Sequence, residues 1–132
     1  MAEISYFAVL CAALAFFAVG VVWYGGLFAK LWQRASGLSE AEYTGGNKAL
    51  IFGGTFVAEL AIAWVLGHQF AMTDASDRAI MMISTGFGAL VMAPAIGIVY
   101  LHLRKSFTLW LIDAGHFVVG MAAMGAVFIA LT

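Results

Sequence analysis

Four long apolar runs leave this chain almost no other material to fold with. Residues 4–28, 49–70, 78–103 and 106–131 are each predominantly apolar and long enough to form a helix that crosses a bilayer. About 20 such residues at 1.5 Å each cover the roughly 30 Å of hydrocarbon. Only the stretch 29–48 has room for other structure. Across the 132 residues, 64% are apolar and 10% charged, against roughly 45–50% and 25% in soluble domains. A water-soluble globule is therefore excluded, and the expected fold is all-α. It is a single integral membrane domain spanning 1–132, an up-down bundle of four transmembrane helices set antiparallel by short connections.

Charge sets the expected orientation. Lys30, Arg34 and Lys48 lie in the first loop and Arg104 and Lys105 in the third, while only Arg78 marks the second. Loops rich in Lys and Arg stay cytoplasmic, so both termini are expected on the outer side of a bacterial inner (plasma) membrane, with 29–48 as the cytoplasmic loop. Six Lys and Arg against seven Asp and Glu give no basic field to hold a phosphate backbone, so nucleic acid is not an expected partner. A lone Cys11 excludes a disulfide framework, a redox pair and a cysteine-rich zinc site.

Loop 29–48 contains its own signals. Gly37 suits a left-handed helix stop, and Ser39-Glu40-Ala41-Glu42 has capping-box spacing. Asn47 is a natural N-cap for the second span.

Three ionisable groups fall where water is absent. Glu59 lies eleven residues past Lys48, about 16 Å into the membrane. An ionised carboxylate there costs at least about 2.5–3.5 kcal/mol. Asp113 and His116 are spaced i, i+3 and share a face of the fourth span, with His116 at the depth of Glu59. Thr55 extends the stripe of Glu59. The bundle is expected to bring Glu59, Asp113 and His116 together as a site for a proton, an ion or a small polar solute. The competing expectation is a buried hydrogen-bond cluster that only fixes helix packing.

Asp113-x-x-His116 also has carboxylate-x-x-His spacing, and a dimer would double Glu59, Asp113 and His116 toward a metal shell. That spacing recurs easily by chance, so neither a metal nor any other cofactor is expected. His68, His102 and His116 lie at different depths and cannot pair around a haem. No hydrolase triad, glycine-rich phosphate loop or paired-carboxylate pattern is present, and an enzyme is not the favoured reading. Ala89, Ala93 and Gly97, with Ala122, Ala126 and Ala130, form small-residue stripes that allow close helix approach within the chain or between copies, and a homo-oligomer is expected. Pro94 is expected to kink the third span.

The end of the first span is more specific than composition. Gly20-Val-Val-Trp23-Tyr24-Gly-Gly-Leu27-Phe28-Ala-Lys30-Leu-Trp32, followed by Gly37-Leu38-Ser39, resembles the signature of a family of small bacterial and fungal membrane proteins described as domain of unknown function seventeen-sixty-one. Asp113-Ala114-Gly115-His116 through Gly120 and Gly125 is similar to its fourth span, with His116 where members often carry Tyr. The resemblance implies four spans and no particular activity. On physical grounds Gly20 admits a neighbouring helix, while Trp23 and Tyr24 are read first as headgroup anchors and second as a pocket with Trp32. Lys30 and Arg34 face the cytoplasm and its anionic lipids. The leading functional reading is an oligomeric transporter or channel in the lipid bilayer; the alternative is an accessory or structural membrane subunit.

Overall fold

The computed structural model describes residues 3–132, and among these all regular structure is helical. Four helices are long and apolar enough to span a membrane: α1 (Tyr6–Leu27), α4 (Lys48–Thr73), α5 (Asp77–Leu103) and α6 (Phe107–Leu131). Two short helices, α2 (Ala29–Ser36) and α3 (Glu40–Thr44), occupy the loop between α1 and α4.

Each long helix starts on a side chain that accepts an otherwise unpaired backbone N–H of its first turn. Ser5 accepts from Ala8, Asn47 from Leu50, Ser76 from Ala79 and Ser106 from Leu109, at 3.1–3.2 Å. Helices α4 and α5 stop on left-handed residues, Asp74 at φ 49° and Arg104 at φ 57°. The next N–H in each case bonds back to Phe70 or Tyr100, which reverses the chain within three residues. Gly37, at φ 78°, ends α2. A complete capping box, with Ser39 and Glu42 each bonded to the other's backbone, starts α3, and the Ser39 N–H holds the Glu42 carboxyl below its ordinary range.

The long helices do not form a closed square. Helix α6 packs along α1 on one side and α5 on the other, while α4 packs along the remaining side of α1. Helices α4 and α5 are joined by a three-residue turn yet have little contact with each other. Burial follows this order. Helix α6 has ten buried residues, whereas α4 buries only one face, made of Glu59, Ala63, Leu66, Gly67 and Phe70. Most of the large side chains on α4 and α5 point outward, among them Val57, Val65, Met82, Leu90 and Ile98.

The apolar core fills the half of the molecule nearer the termini, where Phe16, Leu66, Met121, Met124 and Phe128 have almost no exposed surface. Toward the end that carries α2, residues 17–27 of α1 and 48–58 of α4 include no buried position. There the helices are joined by edge-on contacts of Phe17 with Phe52 and Phe56 and by hydrogen bonds from Trp23, Tyr24 and Trp32 to α6.

Two five-residue π-helical turns interrupt the long helices, Trp23–Leu27 in α1 and Gly88–Met92 in α5. Such turns insert a residue and so re-aim the side chains that follow. The second lies directly before Pro94, whose ring cannot donate a backbone bond. Beside it the indole of Trp110 donates to the carbonyl of Ala93 at 2.9 Å, and Gly97 has no Cβ to block that indole.

Candidate functional site: an aspartate held by three aromatic donors

The first π turn presents Trp23 and Tyr24 to α6. Phe28 N–H bonds to the Trp23 carbonyl at 2.9 Å, the wide-turn bond. Trp23 Nε1 donates to the Ile112 carbonyl at 2.8 Å, and its ring lies against Gly115, where a Cβ would come within 3.0 Å of it. Tyr24 Oη donates to Asp113 Oδ1. Helix α2 then packs beside the start of α6, and Trp32 Nε1 donates to the same Oδ1 at 2.9 Å. Tyr100 Oη, from α5, donates to Oδ2.

Asp113, 6% exposed, thus accepts three hydrogen bonds from three separate elements, and none of the donors is a cation. A hydrogen bond contributes about 0.5–1.5 kcal/mol net, so Asp113 ties α1, α2 and α5 to α6 at three points. Trp23 and Tyr24 were read first as headgroup anchors; they point into the bundle instead. A side chain near the C-terminal end of a helix tilts back toward the helix N-terminus, which in α1 means toward the middle of the bundle.

His116 lies one turn further along α6, walled by Phe16, Tyr24 and Phe117 with ring centroids 4.9–5.2 Å away. A Cβ at Gly20 would stand 3.1 Å from its Nε2, so Gly20 makes room for this ring. Both imidazole nitrogens are buried without a hydrogen-bond partner. Glu59, 4% exposed, lies on the face of α4 that packs against α1, and its Oε1 is also buried and unpartnered.

The three expected ionisable residues therefore divide. Asp113 and His116 are neighbours on α6, whereas Glu59 makes no hydrogen bond to either, because α4 packs on α1 and has little contact with α6. Thr55 is exposed, and its hydroxyl bonds back to the Ile51 carbonyl at 2.6 Å. Of the motif residues, Phe28 packs on Trp23 at 4.9 Å, and Leu27 is exposed. Among the described residues no three His, Cys, Asp or Glu side chains approach closely enough to hold a metal ion. The Glu59, Asp113 and His116 set is thus not gathered into a metal shell within one chain. Tyr100 on Asp113, which the sequence placed only near the interface, and Phe16 and Phe117 on His116 are the contributors that sequence reasoning did not assign to the site.

Fold and site together define a class: a small all-helical protein with four membrane-length apolar helices, closed at one end by aromatic donors around a single aspartate. The chain belongs to the family described as Protein of unknown function (DUF1761), whose model matches residues 7–129. No curated protein and no solved structure matches it.

Proposed function

We propose that the protein is a multi-pass protein of the bacterial plasma membrane, with both termini outside, and that its core takes up and releases a proton through His116 and Glu59. The observation that carries this reading is the set of open valences. Among the described residues four buried side-chain atoms have no protein partner: both nitrogens of His116 and Oε1 of Glu59, which are ionisable, and Ser84 Oγ, which is not. Leaving a buried polar atom unsatisfied costs about 1–3 kcal/mol. An ionisable group at membrane depth that pays such a cost is by default a functional one. Tyr24, which donates to Asp113 and stands 4.9 Å from the His116 ring, links the two groups. A homo-oligomer suits the largely exposed α4 and α5 and the outward-facing Ala89, Ala126 and Ala130, since small residues let helices of neighbouring copies approach.

A second reading has its own observation. Each oxygen of Asp113 is already occupied by donors, as a purely structural cluster requires, which fits an accessory membrane subunit without transport.

Proteoliposomes carrying an internal pH dye separate the two. Under an imposed pH gradient, the expected result is a protein-dependent proton flux that Glu59→Gln lowers at least tenfold while the helical content and thermal midpoint in detergent stay close to those of the unaltered chain. Absence of flux in the unaltered protein, together with a loss of stability in Glu59→Gln, would support the structural reading.

A further inference from the structure

We infer that the outer face of α2 is a docking surface for anionic phospholipid headgroups, and that this contact holds Trp32 on Asp113. Helix α2 is two-faced. Trp32, Gln33 and Ser36 are turned toward the bundle, while Lys30, Leu31 and Arg34 are exposed. The inner face is fixed at two points: Trp32 Nε1 on Asp113 at 2.9 Å, and Lys105 Nζ on the Ser36 carbonyl at 3.3 Å. The outer face joins two cations one helical turn apart to exposed Leu27 and Leu31. A helix lying in the interface plane needs this combination, apolar side chains for the acyl boundary and cations for the phosphates.

Charge complementarity selects the occupant. The end of the molecule that holds α2 carries five of the six Lys and Arg, namely Lys30, Arg34, Lys48, Arg104 and Lys105, against Glu40 and Glu42. Glu42 is already engaged in its capping box. The opposite end carries Glu3, Asp74 and Asp77 against Arg78. An anionic leaflet therefore attracts one end of the molecule and not the other. Because α2 reaches Asp113 through Trp32, a headgroup that holds α2 down also keeps one of the three donors in place. The inference rests on the chain lying in a bilayer and does not require that it transport anything.

Amide hydrogen exchange of residues 29–36 tests it, with the full chain in nanodiscs of phosphatidylcholine alone or mixed with phosphatidylglycerol. Each cation near an anionic surface contributes about fivefold in occupancy. Exchange of α2 is expected to slow on the order of 25-fold in the phosphatidylglycerol discs at low salt, with α6 unchanged. The double variant Lys30→Gln/Arg34→Gln is expected to lose that response, and Lys30→Arg/Arg34→Lys to keep it. Equal exchange in both lipids, or an undiminished response in the Gln variant, would overturn the inference. Equal slowing by inorganic phosphate added to phosphatidylcholine discs would also overturn it, by showing a site for free anions. Failure to enter discs of either composition would instead contradict the membrane placement.

Discussion

Asp113→Ala is expected to remove about 3 kcal/mol of folding free energy and to leave little well-folded protein in detergent. The substitution strands Tyr24 Oη, Trp32 Nε1 and Tyr100 Oη together, and each buried donor left unsatisfied costs about 1–3 kcal/mol. All three residues are only partly buried, so water recovers some of the loss and the sum falls near the low end. Asp113→Asn is expected to cost about 1 kcal/mol, because its carbonyl oxygen still accepts and a tyrosine hydroxyl can turn to accept from its amide. Thermal unfolding of the two variants, followed by tryptophan fluorescence, gives the ordering. Equal stability of Asp113→Ala and the unaltered protein would remove the structural role assigned to this cluster.

Gly88→Ala is the second large effect. A Cβ at Gly88 would stand 2.9 Å from Cα of Val118 and 3.0 Å from the carbonyl oxygen of Phe117. These are backbone atoms of α6, which no rotamer change can move, so α5 and α6 must separate. Overpacking of this kind costs typically about 1–3 kcal/mol, and here the upper part of that range is expected. Gly54→Ala serves as the control: it adds the same methyl to a spanning helix, but nothing lies within 4 Å of its Cβ position. The expected result is a thermal midpoint lowered clearly by Gly88→Ala and unchanged or raised by Gly54→Ala. If the two behaved alike, the close crossing of α5 and α6 at this point would be wrong.

The four long helices were legible because each is an apolar run of the length that a bilayer would demand. The turns were legible too. Gly37, the capping box at Ser39 and Glu42, and Asn47 act through local backbone chemistry, which does not depend on what packs where. Helix order was less accessible. Short loops imply neighbours, yet α4 and α5 share a three-residue turn and hardly touch. Which faces pack depends on shape complementarity between helices that are apolar on every side, and hydropathy alone does not distinguish those faces.

The candidate site shows the same division. Asp113, His116 and Glu59 stand out as charges among apolar residues, so their burial was readable. Their partners were not, because tyrosine and tryptophan near a membrane surface are read first as anchors. A directional signal was present all the same. Tyr100 lies four residues before Arg104 and Asp113 eight after Lys105, so their Cα atoms differ in depth by about 6 Å. In α5 a side chain tilts deeper toward the helix start, and in α6 Asp113 tilts back toward the loop. The two therefore meet. The same tilt carries Tyr24 inward. Thr55 went the other way: its spacing from Glu59 placed it on the same stripe, but in the first turns of α4 it is Phe52 and Phe56 that meet α1, at Phe17, and Thr55 is left exposed.

Whether the Trp-Tyr-Trp motif closes on Asp113 is tested most directly by the indole N–H resonances of the nitrogen-15-labelled protein in nanodiscs. The chain has four tryptophans, which substitution assigns one by one. Trp32 Nε1–H is expected to shift in Asp113→Asn, while Trp64, exposed on α4 away from Asp113, does not. A Trp32 indole that does not respond to Asp113→Asn would contradict the central contact of this structure.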